Sequence, residues 1–154
     1  MNEPISLDVV MSSLPASAEL TARERIEHFE AAILALPQLD LHLAHHFADG
    51  LYGRELHIPA GTAATGAIHK REHINVILKG RIQVATEQGY IEIQAPAVFV
   101  SPPGTKRAVV TLEDTVWLTV HASVSKTVDD AESELVTNNR DEYDASQSLL
   151  EQVA

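Results

Sequence analysis

Two histidines with three residues between them occupy the stretch Gly61–Gly80, GTAATGAIHKREHINVILKG. His69 and His73 have the HxxxH spacing with which one helix face holds a zinc ion. The helical zinc-protease motif needs a glutamate directly after the first histidine, and this chain has Lys70 there. The β-branched run INVIL after His73, closed by a glycine, instead predicts a strand. We therefore expect His69 to end one strand and His73 to begin the next, with a turn between them.

A third histidine, His121, ends the last predicted strand, TVWLTVH. Three neutral imidazoles suit Zn, Fe(II), Ni or Cu rather than Mg or Ca, and three protein ligands with an open position are typical of a catalytic metal. The sequence thus predicts one divalent transition metal on His69, His73 and His121, with His46 in reserve and ligand nitrogens about 3–4 Å apart. The alternative is that His69 and His73 hydrogen-bond to polar neighbours and no metal binds.

These residues lie among short segments with alternating apolar and polar side chains, separated by turn residues at intervals of eight to twelve. This pattern is typical of an antiparallel sandwich or barrel, closed or nearly closed. The first predicted strand starts at Leu39 and ends before a turn at Asp49-Gly50. His45 and His46 are adjacent, so in a strand they point to opposite faces. A second turn is predicted at Gln88-Gly89.

Both ends of the chain have a different character. Residues 1–20 lack periodicity and predict a loop, whereas Thr21–Glu24 has the form of a capping box that starts a helix ending before Pro37. From residue 125 the chain is acidic and predicts two helices broken at Asn138-Asn139. We divide the chain into an N-terminal arm and helix (1–38), a barrel (39–124) and a helical tail (125–154). The tail packs on the barrel, docks on a partner subunit, or frays; the sequence leaves these three open.

The net charge of −11 is concentrated at the two ends. Nucleic-acid binding needs a basic surface, and no segment supplies one, so we expect no nucleic-acid partner. No run of 18 apolar residues predicts a membrane span. The chain has no cysteine, and its first residues lack the basic region of a secretory signal. Both features favour a cytoplasmic location.

The spacing of these motifs resembles that of the cupin superfamily. Its first motif is Gly, five residues, His-x-His, three or four residues, Glu, six residues and Gly. In this chain the motif positions fall on Gly61, Ala67, His69, His73 and Gly80. The second motif is Gly, five residues, Pro-x-Gly, two residues, His, three residues and Asn. Its positions fall on Pro96, Pro102, Gly104, Arg107 and Thr111.

This resemblance spans residues 36–121 and keeps the spacing while altering the metal-ligand types. The segments HKREHINVILKG, SPPGTKR and EDTVWLTVH also resemble short, uncharacterised cupin proteins of phage and prophage genes. The resemblance implies an all-β protein with a small antiparallel jelly-roll barrel that forms a homodimer. It also implies that His73 faces the barrel interior, which by alternation turns Asn75 and Ile77 inward as well.

Arg107 stands where metal-binding cupins have their last histidine. A guanidinium inside a barrel needs a partner, either Glu55 or a small anionic ligand held bidentately. If Glu55 faces the cavity, the site is self-contained; if it faces away, a carboxylate or phosphate group is expected. The ligand-binding residues predicted here are Arg107, Tyr52, Glu55 and Asn75. Two functions remain open: a metal-dependent small-molecule enzyme, and a non-catalytic cupin that binds a ligand or has a structural or accessory role in a phage-like setting.

Overall fold

A computed structural model describes residues 20–86 and 89–153. Of the loop predicted over residues 1–20, all but the last residue lies outside the described residues. Gln88, the first residue of the predicted Gln88-Gly89 turn, also lies outside them. The described helices are α1 (Ala22–Leu34), α2 (Val128–Leu135) and α3 (Arg140–Val153). The described strands are β1 (His42–Ala48), β2 (Leu51–Ile58), β3 (Ala63–Thr65), β4 (Ile68–His69), β5 (His73–Lys79), β6 (Arg81–Thr86), β7 (Gly89–Gln94), β8 (Ala97–Ser101), β9 (Ala108–Thr111), β10 (Thr115–Ala122) and β11 (Val136–Thr137).

The strands form two larger antiparallel sheets and one short pair. The five-stranded sheet has the order β1-β2-β10-β5-β8, the four-stranded sheet has the order β3-β9-β6-β7, and β11 pairs with β4. The predicted all-β class, with a helix before the sheets and helices after them, is confirmed. Among the described residues the sheets remain separate hydrogen-bonded units, so the barrel is not closed by hydrogen bonds, where the sequence predicted full or near closure.

Helix α1 begins at the predicted capping box. The Thr21 side chain accepts a hydrogen bond from the Glu24 backbone N–H, and the Glu24 carboxylate accepts one from the Thr21 backbone N–H. The buried face of the helix carries Ile26 and Phe29, which pack on Ala85, Ala108 and Val110 of the four-stranded sheet. The other face of this sheet contributes Ile82, Val84 and Val109 to a cluster with Ile77 of the facing sheet. Strand β9 is therefore buried on both faces.

Strand β5 shows the predicted alternation. His73, Asn75 and Ile77 are buried, whereas Ile74 is 45% and Leu78 is 50% exposed. The strand is followed by the glycine of the first motif, Gly80, at φ +93°. A Cβ there would lie 2.5 Å from the Asp114 carbonyl oxygen, so both the backbone angle and the space require glycine.

Strand β1 starts at His42, three residues later than predicted. The Gln38 side chain donates hydrogen bonds to the carbonyls of Ile33 and Leu36, which holds the chain in a bend before the strand. The alternating leucines Leu39, Leu41 and Leu43 thus begin outside the sheet.

The C-terminal tail packs on its own barrel through α2 and β11. Ala131 and Leu135 form a buried cluster with Tyr52, and Val136 pairs with His69. The predicted break separates α2 from α3, whose leucines Leu149 and Leu150 are each 63% exposed. No helix within residues 20–86 and 89–153 is long and apolar enough to cross a membrane.

Candidate metal and anion site

The three predicted histidines converge at one end of the space between the sheets. His69 Nδ1 lies 3.0 Å from His121 Nε2, so one of these nitrogens donates a hydrogen bond to the other. The His73 ring stacks against both, with its centroid 4.0 Å from that of His69 and 4.7 Å from that of His121, whose own centroids are 5.1 Å apart. One nitrogen from each residue lies within 4.8 Å of the others. The predicted convergence of the three histidines is confirmed, although the distances between their nitrogens extend to 4.8 Å, beyond the 3–4 Å expected.

Each histidine comes from a different strand. His73 is the first residue of β5 and faces Ser101 of β8. His121 lies on β10 opposite Tyr52 of β2. His69 ends β4 and is held from two sides, because its backbone N–H donates to the Thr105 carbonyl and its strand pairs with β11 of the tail.

Burial keeps these imidazoles neutral near pH 7. Burial, followed by repulsion from His73 and His121, lowers the pKa of His69 to about 2. Burial also lowers the pKa of His121 to about 4, with repulsion from His73 next in size. The pKa of His73 is lowered by burial too, against the opposing effect of its hydrogen bond to the Arg71 carbonyl. Neutral imidazole is the form that ligates a metal.

The donor set fits a divalent transition metal. His73 Nδ1 lies 3.1 Å from the Arg71 carbonyl oxygen, so Nδ1 carries the proton and the Nε2 lone pair is free. His121 Nδ1 is buried and has no hydrogen-bond partner among the described residues. Three uncharged nitrogen donors suit Zn, Fe(II), Ni or Cu. The reserve ligand His46 is not part of this set, because its side chain is 60% exposed and contacts Glu55 on the outer face of the sheet.

The histidines line a cavity of about 520 Å³ between the sheets. This volume is in the range of small-molecule sites. The cavity wall also includes Tyr52, Asn75 and Arg107, three of the four predicted ligand-binding residues. Tyr52 is buried, and its hydroxyl lies 2.7 Å from His45 Nδ1. Burial raises the pKa of this hydroxyl.

A hydrogen-bonded chain positions Arg107. Trp117 Nε1 donates to Asn75 Oδ1, Asn75 Nδ2 donates to Ser101 Oγ, and Arg107 Nη1 donates to the same Oγ. The guanidinium carbon lies 5.2 Å from the centre of the Phe99 ring. Burial lowers the pKa of Arg107, yet arginine keeps its proton in proteins. Asn75 therefore orients Ser101 and Trp117 through its two side-chain hydrogen bonds.

Glu55 does not face the cavity. Its carboxylate lies 3.4 Å from His46 Nε2 and 3.6 Å from His57 Nε2. The reason is the alternation of β2, which places Tyr52 and Glu55 on opposite faces. Of the two outcomes that the sequence left open, the structure has the one in which Glu55 faces away from Arg107.

Arg54 is a site residue that the sequence analysis did not single out. It lines the cavity with Tyr52 and Leu56, its neighbours on the same face of β2. Among the described residues, neither Arg54 nor Arg107 has a carboxylate within 4 Å. The alternation of β2 could have identified Arg54, because residues two apart in a strand face the same side and Arg54 is two residues after Tyr52. Glu132 of α2 also lines the cavity. Its position there depends on how the tail folds back, which no local sequence pattern predicts.

Several of the similar solved structures are described as cupin-domain proteins. A cupin-2 domain protein from Shewanella frigidimarina is 12% identical, with a TM-score of 0.44 over 62% of this chain and 92% of that one. A cupin 2 conserved barrel domain protein from Salinispora arenicola is 22% identical, with a TM-score of 0.45 over 56% and 81%. The EutQ protein of Clostridium difficile is 10% identical, with a TM-score of 0.46 over 56% and 70%. No family model and no curated protein matches the chain.

Proposed function

We propose that this protein is a metal-dependent enzyme that binds an anionic small molecule. His69, His73 and His121 hold one divalent transition metal, and Arg107 and Arg54 bind the anionic group. One observation carries the proposal: three neutral imidazoles converge in a cavity that also holds two guanidinium groups, neither of which has a carboxylate within 4 Å in the part of the chain that the structure describes. Both arginines are half-buried, and desolvated charges without partners are costly, so a cavity of this kind favours a ligand of opposite charge.

The chemistry follows from these groups. A metal at this site supplies a Lewis acid, or a bound water of lowered pKa. The guanidinium groups bind a carboxylate in a fixed plane, which orients the ligand beside the histidines. The Ser101–Asn75–Trp117 chain fixes the position of Arg107 before the ligand arrives. Such preorganisation lowers the cost of binding.

Calorimetric titration of chelator-treated protein with Zn²⁺ and Ni²⁺ tests the metal site. We expect saturation at one ion per chain, and loss of this binding in His121→Ala. The matched control is His46→Ala, whose side chain lies on the outer face and whose variant should bind as the parent does. Absence of saturable binding to the parent, or unchanged binding to His121→Ala, would remove the metal from the proposal.

A second candidate function is a non-catalytic protein that binds the same class of ligand, with a structural or accessory role. Two observations favour it: Arg107 is placed where a cation would be repelled, and His121 Nδ1 lacks the hydrogen-bond acceptor that metal-bound imidazoles usually have. Anion binding that is equally tight with and without metal would support this candidate over the enzyme.

A further inference from the structure

Strand register divides the cavity wall into three layers along the strands of the five-stranded sheet. At one end, which we call the histidine layer, His121 lies opposite Tyr52. One step along, in the guanidinium layer, Thr119 lies opposite both Arg54 and Asn75. In the next step, the apolar layer, Trp117 lies opposite Leu56 and Ile77, and Leu56 lies opposite Leu43.

Arg107, the residue directly before β9 of the facing sheet, reaches this wall at the border of the first two layers. Its hydrogen-bond partner Ser101 is paired with His73, and its ring contact Phe99 is paired with Asn75. Both guanidinium groups are thus beside the histidines and before the apolar layer. An anionic group held by them lies next to the three imidazoles.

The apolar layer extends away from the histidines. Ile58 is the next residue after Leu56 on the same face of β2. Leu41 and Leu39 precede Leu43 at alternate positions. Ile58, Leu41 and Leu39 all line the cavity. Val109 from the facing sheet closes this part and packs on Ile77. Within residues 20–86 and 89–153, no charged side chain is among those that line the apolar layer and its extension. A second charged group on the ligand would be desolvated there without a partner.

We propose that the ligand is an amphipathic monocarboxylate: its single carboxylate binds at Arg54 and Arg107, and its apolar body lies along Leu56 and Trp117. This inference rests on the proposed function and names the substrate class of the same site. The acidic side chain of Glu132 lines the cavity as well, which further disfavours a ligand with several anionic groups. The carboxylate is the end of the ligand next to the histidines, so the reacting atoms are those at or beside it.

The fluorescence of Trp117 can report whether a ligand occupies the apolar layer. Trp117 is the single tryptophan of the sequence and lies in the apolar layer. Intrinsic fluorescence therefore reports when that layer is occupied. The probes are straight-chain monocarboxylates from acetate to decanoate, dicarboxylates of matched length, and octanol, added to the chelator-treated full chain.

We expect affinity to rise about fourfold for each added methylene, the factor that corresponds to burying one CH₂ group. Trp117 emission should shift with octanoate and not with acetate. Matched dicarboxylates and octanol should bind at least tenfold more weakly than octanoate. The variant Leu56→Asn should abolish the dependence on chain length, and Ile91→Asn, at an exposed position on β7 of the other sheet, should keep it.

Each contrary result has a separate meaning. Anion binding that is independent of chain length, or octanol binding as tight as octanoate binding, would overturn the monocarboxylate assignment and leave the metal site untouched. Failure of every carboxylate, acetate included, to bind would overturn the anion site of the proposed function, and this inference with it. Because fluorescence and thermal melting are measured on each variant, a misfolded variant is recognised and replaced by Leu43→Asn in the same layer.

Discussion

Arg107 is the residue that most distinguishes this site from an ordinary three-histidine metal centre. It is fixed by Ser101 and Phe99, neither of which neutralises its charge, while Glu55 lies on the other side of the sheet. A guanidinium held in this way contributes little to folding and is available to an anion.

We expect Arg107→Met to change the free energy of unfolding by about 1 kcal/mol or less in either direction, because it leaves no carboxylate of the described residues unpaired. Anions that stabilise the parent should no longer do so. Thermal melting with and without octanoate and phosphate measures both effects. Arg81→Met, which removes a partner of Glu92 at the surface, is the control that should retain the anion effect. A loss of several kcal/mol without any anion effect in the parent would contradict the ligand role.

The buried histidines make the metal-free protein sensitive to acid. Folding lowers their pKa values from the ordinary 6.5, to about 2 for His69 and to about 4 for His121. Below pH 6.5 the unfolded chain binds protons that the folded chain does not, so stability falls as pH falls. Arg54, Arg107 and Arg71 add to this effect, and Glu134 opposes it.

We expect the free energy of unfolding to fall by up to about 1.4 kcal/mol for each unit by which the pH falls, for each histidine that stays neutral in the folded state. Denaturant unfolding of chelator-treated protein between pH 7 and pH 4.5 measures it. The variant His121→Phe removes one titrating group and should flatten the slope. A parent whose stability is constant or rises over this range would contradict the burial of neutral imidazoles.

At the scale of elements, the tail forms part of the site. Helix α2 covers the histidine layer through Leu135, which is 1% exposed and packs on Tyr52, and β11 pairs with the strand that ends in His69. Lys70 and Arg71, in the turn between His69 and His73, also contact the tail through Glu142 and Glu134.

Leu135→Ala should lower the free energy of unfolding by about 2–5 kcal/mol, because it leaves a cavity in a closed cluster. Its matched control is Leu149→Ala on α3, which is 63% exposed and should change stability by no more than about 0.5 kcal/mol. Equal effects of the two changes in denaturant unfolding would mean that α2 does not pack as described.

Alternation along single strands explains what the sequence could predict of these elements. It placed His73, Asn75 and Ile77 on the buried face of β5, and the HxxxH spacing and turn residues located His69. Alternation also separates Tyr52 from Glu55, so naming both as cavity residues ignored a pattern that was available. The order β1-β2-β10-β5-β8 and the return of the tail depend on contacts between distant segments, which no local pattern encodes.

In the molecule as a whole, the outer face of the five-stranded sheet is apolar along β5 and β8, whereas Glu55 lies on the same face at β2. Val98 and Val100 of the edge strand β8 are 70% and 58% exposed, and Ile74 and Leu78 lie beside them. The chain carries a net charge of −11, which disfavours contact between two copies through acidic surfaces, and neither β5 nor β8 contains a carboxylate. We propose that a second copy covers this face and that the protein is a homodimer, with the chain ends contributing to the contact.

Light scattering at micromolar concentration should give twice the 16.8 kDa mass of the chain. Val100→Glu places a carboxylate in the proposed interface and should yield a folded monomer. Ile91→Glu, which changes an apolar residue 48% exposed on β7 of the four-stranded sheet, should leave the dimer intact. A parent that scatters as a monomer would contradict the proposal.

The three-histidine metal site is tested directly by the metal content of protein purified without an affinity tag and without added metal. We predict about one first-row transition metal ion per chain, and loss of that ion in His69→Ala, His73→Ala and His121→Ala alike, with His46→Ala unchanged. Parent protein that carries no metal and takes up none on dialysis against Zn, Fe(II), Ni or Cu would contradict it. The converged histidines would then serve as hydrogen-bonding groups of an anion-binding cavity.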